Sequence, residues 1–143
     1  MIKVRIQKNK ETKVPEYAHK GDAGVDLYSA QDYVLESSER TLISTGIKIA
    51  VPPGYEAQIR PKSGLAIKHG ISVLNTPGTV DSGYRGEVMV IAVNLSNEKY
   101  HIKKGDKVAQ MVFNKVEEAE FVEVKELDKT SRNEGGFGST GKR

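Results

Sequence analysis

Four short segments of the chain combine glycine with charged or hydroxyl residues more densely than a turn alone requires. They span residues 23–27, 61–66, 78–87 and 107–110. Glycine lets a backbone approach a ligand closely, while carboxylates, lysines and hydroxyls supply proton transfer, charge and hydrogen-bond donors. These segments are therefore the first candidates for chemistry in this sequence.

The segment at residues 61–66 follows a predicted strand and begins a predicted helix. Backbone N–H groups at the start of a helix favour phosphate, and Lys62 and Ser63 add a charge and a hydroxyl donor. The alternative is that Ser63 caps the helix and Lys62 is a solvated charge. The residues alone leave both interpretations open.

The segment at residues 78–87 is typical of a tight hairpin that carries Asp81 and Tyr84. A carboxylate held at a hairpin can position and deprotonate a water molecule. An aromatic ring a few residues further on can pack against a sugar. Aspartate is also a common turn residue, so a purely structural Asp81 is the alternative.

Asp26 and Gln110 are polar residues between apolar neighbours. Asp26 stands beside a glycine turn, where it is either a turn residue or a functional acid. Gln110 lies in an otherwise apolar strand, so it needs a hydrogen-bond partner if it is buried. A core hydrogen bond or a bound ligand would satisfy Gln110 equally well.

The end of the chain changes in composition at residue 128. It holds four glycines between Gly135 and Gly141, and Phe137 is its single large apolar residue. Such a segment cannot bury enough surface to offset its ordering entropy, which predicts a flexible tail. A solvated terminus is one interpretation. A clamp for phosphate and base, ordered on binding, is the other.

The elements that must position these residues follow a period of two, which predicts strands. Alternating or continuous apolar runs predict strands at residues 2–7, 42–51, 55–59, 88–93, 107–113 and 121–124, and residues 63–69 predict a short helix. The run at 88–93 is apolar on both faces, which favours a central strand covered on both sides. Within residues 107–110, Lys107 and Ala109 are expected on one face. Many short strands separated by turns predict a sandwich or barrel in one domain.

Composition excludes several classes of function. The chain has no cysteine, which removes disulfides, cysteine–metal sites and thiol nucleophiles. A net charge of +3 is too small to indicate a nucleic-acid groove, and His19, His69 and His101 lack the spacing of metal ligands. No signal peptide and no membrane-spanning run is present in the sequence, so we expect a cytoplasmic protein that binds neither DNA nor membrane.

Taken together and in order, the segments resemble the five motifs of the trimeric dUTP diphosphatase family. The matching stretches are residues 23–30, 61–66, 78–87, 105–110 and 132–141, which span nearly the whole chain. The resemblance implies an all-β fold, a jelly-roll or β-clip type barrel with one short helix and a flexible C-terminal tail. It implies a barrel domain at residues 1–127 and a tail that acts as a lid at residues 128–143.

The resemblance implies hydrolysis of dUTP to dUMP and pyrophosphate, which limits uracil incorporation into DNA and supplies dUMP for thymidylate synthesis. Asp81 would activate the attacking water, and Tyr84 would pack under the deoxyribose and exclude UTP. The uracil pocket would be lined by Asn75, Gly78, Thr79, Val80 and the backbone of Met89.

The resemblance also implies how the triphosphate is held. Lys62, Ser63, Gly64 and Gln110 would bind phosphate, and Mg²⁺ would chelate the triphosphate and reach Asp26 through water. In the tail, Arg132 would contact the terminal phosphate, Phe137 would cover the uracil, and Gly138, Ser139 and Thr140 would cover the phosphates. The family assembles as a homotrimer with shared active sites.

Three positions depart from the family pattern. Lys62 and Lys107 stand where arginine is usual, and Asn133 stands where glycine often follows Arg132. Both lysines keep the positive charge but lose the planar fork that holds phosphate or carboxylate with two hydrogen bonds. We expect the fold and reaction to persist and the positioning of phosphate, or the coupling of subunits, to change.

Two other functions fit the same resemblance. A dCTP deaminase, or its bifunctional relative, shares the fold, but the uracil-type hairpin and Phe137 favour dUTP. A regulatory trimer, in which the nucleotide switches binding to a protein partner, is the second alternative. The intact Asp81, Tyr84 and tail favour catalysis over that role.

Overall fold

The computed structural model describes residues 1–141, within which ten β-strands and one α-helix form. The strands are β1 Arg5–Lys8, β2 Gly24–Tyr28, β3 Tyr33–Leu35, β4 Arg40–Ala50, β5 Tyr55–Arg60, β6 Ile71–Val73, β7 Gly78–Val80, β8 Glu87–Asn94, β9 Tyr100–Ile102 and β10 Lys107–Lys115. The helix α1 spans Ser63–His69. The prediction of an all-β fold with one short helix is confirmed.

Antiparallel pairing joins these strands into two four-stranded sheets and one two-stranded sheet. The first sheet has the order β1-β4-β8-β6, the second has the order β2-β10-β5-β7, and β3 pairs with β9. Side chains from both large sheets, among them Leu27, Ile43, Ala57 and Val90, belong to one continuous apolar core. Two sheets enclosing one core give the jelly-roll type of barrel that the resemblance implied.

Burial along the strands follows the alternation in the sequence. In β5, Ala57 and Ile59 are buried while their neighbours are half-buried. The strand β8 is central, between β4 and β6, as its composition predicts. Met89 and Ile91 on its second face are half-buried, which shows that this face is only partly covered. That uncovered face becomes one wall of the cavity described below.

The helix α1 matches its predicted bounds. Its last turn carries Lys68 and His69, and Gly70 ends it with φ of 64°, in the left-handed region that glycine adopts at little cost. None of its residues is buried. The helix therefore lies on the surface and serves to present residues 61–64 rather than to build the core.

Two strand predictions at the ends of the chain are wrong. The first strand begins at Arg5 rather than at Ile2, and residues 121–124 form no strand. Phe121 is 96% exposed, and Val122 and Val124 are exposed as well. Alternation reports a local preference, and a strand also needs a partner edge, which this segment lacks within the described part of one chain.

The last regular element of the chain, β10, ends at Lys115, and the described residues beyond it are irregular and almost entirely exposed. The predicted domain boundary at residue 127 stays a prediction. Lys142 and Arg143, the end of the predicted lid, lie outside the described residues. No helix within residues 1–141 has both the length and the apolar character needed to cross a membrane.

Candidate active site

A cavity of about 260 Å³ lies beside the loop between β7 and β8. These strands belong to different sheets, because β7 pairs with β5 and β8 pairs with β4 and β6, so the prediction of a tight hairpin at residues 78–87 is wrong. Six residues expected at the uracil pocket and the sugar line this β7–β8 cavity, namely Asn75, Gly78, Thr79, Val80, Tyr84 and Met89. A Cβ atom at Gly78 would lie 3.2 Å from Nδ2 of Asn75, so glycine keeps this wall tight without a clash.

The same cavity has an apolar side that sequence reasoning missed. Leu42 from β4 and Ile91 from β8 line it together with Ile59, Val73 and Val88. The signal for them was present, because Leu42 and Ile91 lie directly opposite each other in adjacent strands. Apolar residues on both strands at a face without a covering layer indicate a binding surface.

Asp81 directly follows Val80, which lines the cavity, and it is exposed. Its backbone carbonyl accepts a hydrogen bond from the backbone N–H of Tyr84 at 3.1 Å, which closes the turn. Within residues 1–141, no side chain or backbone group donates to its carboxylate. The turn thus uses the main chain of Asp81 and leaves its carboxylate open to water.

Asp26 lies in the middle of β2 with only 12% of its side chain exposed. The ammonium of Lys62 contacts Oδ1 of this carboxylate, and the ammonium of Lys107 lies 2.7 Å from Oδ2. Burial alone would raise the pKa of Asp26, but hydrogen bonds and charge from the two lysines outweigh it and hold the pKa below its ordinary 3.8. Asp26 is therefore a charged, doubly paired acid.

A bulge in β10 aims Lys107 at this carboxylate. The register shifts between Lys107, opposite Tyr28, and Ala109, opposite Leu27. Because a bulge adds a residue to one strand, Val108 and Ala109 both enter the core. The prediction that Lys107 and Ala109 share a regular face is therefore wrong, and the bulge is the reason.

Gln110 satisfies its amide within the protein. Its Nε2 donates to the backbone carbonyl of Pro61 at 2.9 Å, and it lies opposite both Asp26 and Arg60 in the sheet. This hydrogen bond fastens the turn that carries Lys62 to the strand that carries Lys107. Of the two interpretations that the sequence left open, the structure contains the internal hydrogen bond.

Ser63 and Gly64 are exposed at the start of α1. The N-cap residue is Lys62, and no side chain makes a capping hydrogen bond, so the interpretation of Ser63 as the cap is wrong. The hydroxyl of Ser63 is consequently not used by the helix. A Cβ atom at Gly64 would meet nothing within 4 Å, which leaves open space above this turn.

Asp26 and the β7–β8 cavity lie at opposite edges of one sheet. Asp26 is in β2 and Thr79 is in β7, the first and last strands of the order β2-β10-β5-β7. Three interstrand spacings separate these two residues by about 14 Å across the sheet. One chain therefore holds the Asp26 carboxylate and the cavity apart as two half-sites, while Lys62 follows Ile59 of the cavity wall by three residues.

The tail also lies apart from the cavity. Its hydrogen bonds are local: Arg132 Nε donates to the Gly135 carbonyl at 2.8 Å, and Gly141 N–H donates to the Gly138 carbonyl at 2.9 Å. Phe137 is fully exposed, and Ser139 and Thr140 are exposed as well. The structure of one chain does not bring the predicted lid residues to the site.

The sequence profile of the dUTPase family matches residues 10–141. The chain belongs to the dUTPase family. A deoxyuridine 5'-triphosphate nucleotidohydrolase of Fusobacterium nucleatum is 54% identical over 143 residues, covering 99% of this chain and 98% of the relative. The enzyme of the same name from Clostridium kluyveri is 56% identical over 133 residues, covering 93% of each chain. The predicted family and its enzyme class, dUTP hydrolysis, are confirmed.

Solved dUTPase structures share the fold. The dUTPase of Staphylococcus bacteriophage 80alpha with dUpNHpp has a TM-score of 0.91 at 27% identity, with 99% of each chain covered. A mutant dUTPase from phage phi11 of S. aureus, described with a structural Mg(II) ion, has a TM-score of 0.83 at 25% identity. That likeness covers 90% of this chain and 100% of the phage chain.

The dUTPase chain has no protein-only metal site within residues 1–141, because no three His, Cys, Asp or Glu side chains there cluster suitably. His69 packs against Tyr100 with ring centroids 4.8 Å apart, and His19 lies 3.5 Å from Asp22. A carboxylate can accept about four hydrogen bonds. Asp26 can therefore accept one from a metal-bound water while it keeps both lysines, which fits a hydrated magnesium ion.

Proposed function

We propose that this chain hydrolyses dUTP to dUMP and pyrophosphate through attack of a water molecule on the α-phosphorus. The observation that carries the proposal is the β7–β8 cavity, which gathers the six residues expected to line the uracil pocket and pack against the sugar. Asp81 stands next to it with a carboxylate that no described group occupies. An exposed acid beside a nucleoside-sized cavity is suited to position and deprotonate the attacking water.

The edge position of β7 explains how a short strand can read a base. Within the described residues β7 pairs only with β5, so its outer N–H and C=O groups have no strand partner. Uracil presents one N–H donor between two carbonyl acceptors, which complements such an edge. Cytosine would need reversed hydrogen bonds, and the methyl group of thymine would meet the cavity wall. Tyr84 would lie under the deoxyribose and leave no room for a 2′-hydroxyl.

The Asp26 cluster supplies the phosphate side of the site. Lys62, the hydroxyl of Ser63 and the open space at Gly64 would face the triphosphate. Gln110 steadies the turn that carries them through its hydrogen bond to Pro61. Lys62 and Lys107 bring two positive charges and Asp26 brings one negative charge. The cluster keeps a net positive charge that favours phosphate.

Magnesium belongs to this phosphate side. A hydrated Mg²⁺ ion prefers phosphate oxygens and retains several waters, and it would stabilise the charge on the departing pyrophosphate. Asp26 would contact one of these waters. The protein itself orients the nucleotide, holds the attacking water at Asp81 and counters phosphate charge with Lys62.

A homotrimer with shared sites would unite the two half-sites. The separation of Asp26 from the β7–β8 cavity supports this arrangement, because a second chain can bring its Asp26 cluster to the first chain's cavity. Exposed apolar side chains also support assembly, namely Val116, Phe121, Val122, Val124 and Leu127. An apolar groove of about 210 Å³ beside β1, lined by Ile2, Val4, Ile6 and Phe113, fits such a segment from a second copy.

The tail would complete the site as a lid. Phe137 would cover the uracil, Arg132 would contact the terminal phosphate, and Gly138, Ser139 and Thr140 would cover the phosphates. Closure would exclude bulk water from the reacting phosphorus. The local character of the tail's hydrogen bonds supports this role, because little must be broken when the segment moves.

The physiological role follows from the reaction. Removal of dUTP limits uracil incorporation into DNA, and dUMP is the precursor for thymidylate synthesis. A substrate that is a free deoxynucleotide, together with a chain that has no cysteine, supports a cytoplasmic location.

The test is pyrophosphate release from purified protein with dUTP, dTTP, dCTP and UTP, each with Mg²⁺. We expect turnover of dUTP alone. Ammonia release from dCTP would instead identify a deaminase. Binding of dUTP without release of pyrophosphate would contradict the proposed reaction.

A further inference from the structure

The side chain of Glu87 fills an irregularity in β4. Ser44 lies opposite Met89 and Lys48 lies opposite Glu87, so four steps along β4 match two steps along β8. Gly46 lies inside this bulge with φ of 70°. The bulge takes the backbone N–H of Gly46 out of the regular ladder, so this group needs another acceptor.

The carboxylate of Glu87 is that acceptor. Its Oε1 accepts the Gly46 N–H at 2.7 Å and also accepts the hydroxyl of Ser44. Glu87 is half-buried, and hydrogen bonds to a charged acceptor are stronger than those to a neutral one. The first residue of β8 is therefore fixed to β4 by its side chain.

The backbone of Glu87 contacts Tyr84, which lines the cavity. Its carbonyl oxygen accepts a hydrogen bond from the hydroxyl of Tyr84 at 2.9 Å. Gly86 has no side chain, and a Cβ atom there would clash with the Tyr84 ring, so the ring lies directly over this peptide. The orientation of Tyr84 at the cavity thus depends on where the bulge holds Glu87.

We propose that Glu87 is a positioning residue for sugar selection, because it couples the β4 bulge to the orientation of Tyr84. This inference rests on the proposed function, in which Tyr84 excludes the 2′-hydroxyl. Loss of the carboxylate frees the start of β8, lets the Tyr84 ring shift, and weakens discrimination between deoxyribose and ribose. Asp81 belongs to the turn before it, so the chemical step is affected less than nucleoside binding.

The experiment compares the Glu87→Ala and Glu87→Gln variants with wild type. For Glu87→Ala we expect KM for dUTP to rise about tenfold while kcat changes less than about threefold. The ratio of the Kd values for UDP and dUDP, measured by calorimetry, should fall. Glutamine keeps an oxygen acceptor for Gly46 and Ser44, so Glu87→Gln should restore most of the discrimination. Glu56→Ala removes a half-buried strand carboxylate away from the cavity and serves as the matched control.

Because Glu87 itself lines the cavity, Glu87→Ala also changes the cavity wall directly. Ser44→Ala provides a milder second variant, which removes one donor to Glu87 and leaves every lining side chain, Glu87 included, in place. It should shift KM and the UDP-to-dUDP ratio in the same direction and by less. Wild-type ratios in either folded Glu87→Ala or Ser44→Ala protein would overturn the inference. If Glu87→Ala does not fold, Ser44→Ala alone decides. An inactive wild type would reject the proposed function instead, so the two failures are distinguishable.

Discussion

Lys107 Nζ lies 2.7 Å from Oδ2 of Asp26, while the other oxygen of that carboxylate contacts Lys62. Lys62 and Lys107, the two lysines at which the resemblance leads one to expect arginine, thus converge on one buried acid. A planar arginine can hold both oxygens of a carboxylate by itself, whereas each lysine supplies a single compact charge. Here two lysines each contact one oxygen of the Asp26 carboxylate, where a single arginine could contact both.

This pairing makes stability depend on pH in a defined direction. The pKa of Asp26 in the folded chain is lower than its ordinary 3.8, so the acid stabilises the fold fully above pH 3.8. That contribution is lost as pH falls through the lowered pKa. Asp26→Asn should cost about 1 kcal/mol of unfolding free energy at neutral pH, because the lysines are partly exposed. The difference from wild type should shrink in acid.

Urea unfolding at equal protein concentration, from neutral pH to well below pH 3.8, measures this difference. Asp128→Asn, at an exposed position, is the control and should track wild type at every pH. If the difference in unfolding free energy between Asp26→Asn and wild type stays constant in acid, the ion pairs are not its source.

The proposed role of Asp81 as a general base predicts different effects on substrate binding and on turnover. Asp81→Asn keeps the shape of the turn, since the Asp81 main chain closes it, but removes the base. A general base contributes roughly 10²–10⁴-fold, so kcat should fall by that order. The Kd for dUTP should change little.

Steady-state kinetics and calorimetry with dUTP distinguish the two effects. Asp22→Asn changes another exposed loop aspartate, which accepts a hydrogen bond from the His19 N–H, and should leave kcat unchanged. Near-normal turnover of Asp81→Asn would remove this residue from the mechanism.

Sequence reasoning succeeded where local pattern and global fold agree. The helix α1, the central strand β8 and six residues of the β7–β8 cavity were predicted, because period, turn residues and motif order point to the same answer. The apolar wall of that cavity was not predicted, because it comes from strands that meet only in the folded chain. The strand at 121–124 was predicted wrongly, because pairing depends on a partner that one chain does not supply.

The details of the site depend on register, which sequence alone does not reveal. Gln110 fastens the Pro61 turn, which carries Lys62, to β10, and a bulge redirects Lys107 in β10. A shift of one residue in the pairing of β10 would send the side chains of Lys107 and Gln110 to the other face. The hydrogen bond from the Gly46 N–H to the Glu87 carboxylate was not predicted, because it also depends on strand register.

Deletion of the tail is expected to remove activity without preventing folding. Deletion of residues 131–143 should leave a folded trimer with little dUTP turnover, because the described tail hydrogen bonds are local and Phe137 touches no core. Size-exclusion chromatography and pyrophosphate release test both parts. Phe137→Ala should give a smaller loss in kcat/KM than the deletion. Full activity of the truncated protein would contradict the lid.

Shared sites predict that two inactive variants can complement each other. Chains with Asp81→Asn keep an intact Asp26 cluster, and chains with Lys62→Ala keep an intact β7–β8 loop with Asp81. If each site joins the β7–β8 loop of one chain with the Asp26 cluster of its neighbour, every mixed trimer contains one intact site. Random co-assembly of equal amounts makes about three quarters of the trimers mixed, so activity of the unseparated sample should reach about a quarter of wild type.

Differently tagged chains, refolded together and then purified through both tags, show that the recovered activity belongs to the mixed trimers. The same two variants folded separately and then combined are the control, and they should stay inactive while subunits do not exchange. Sites built within single chains would give no recovery in either sample, because every chain would carry one defect. The separation of about 14 Å between β2 and β7 is the structural reason to expect recovery only after co-assembly.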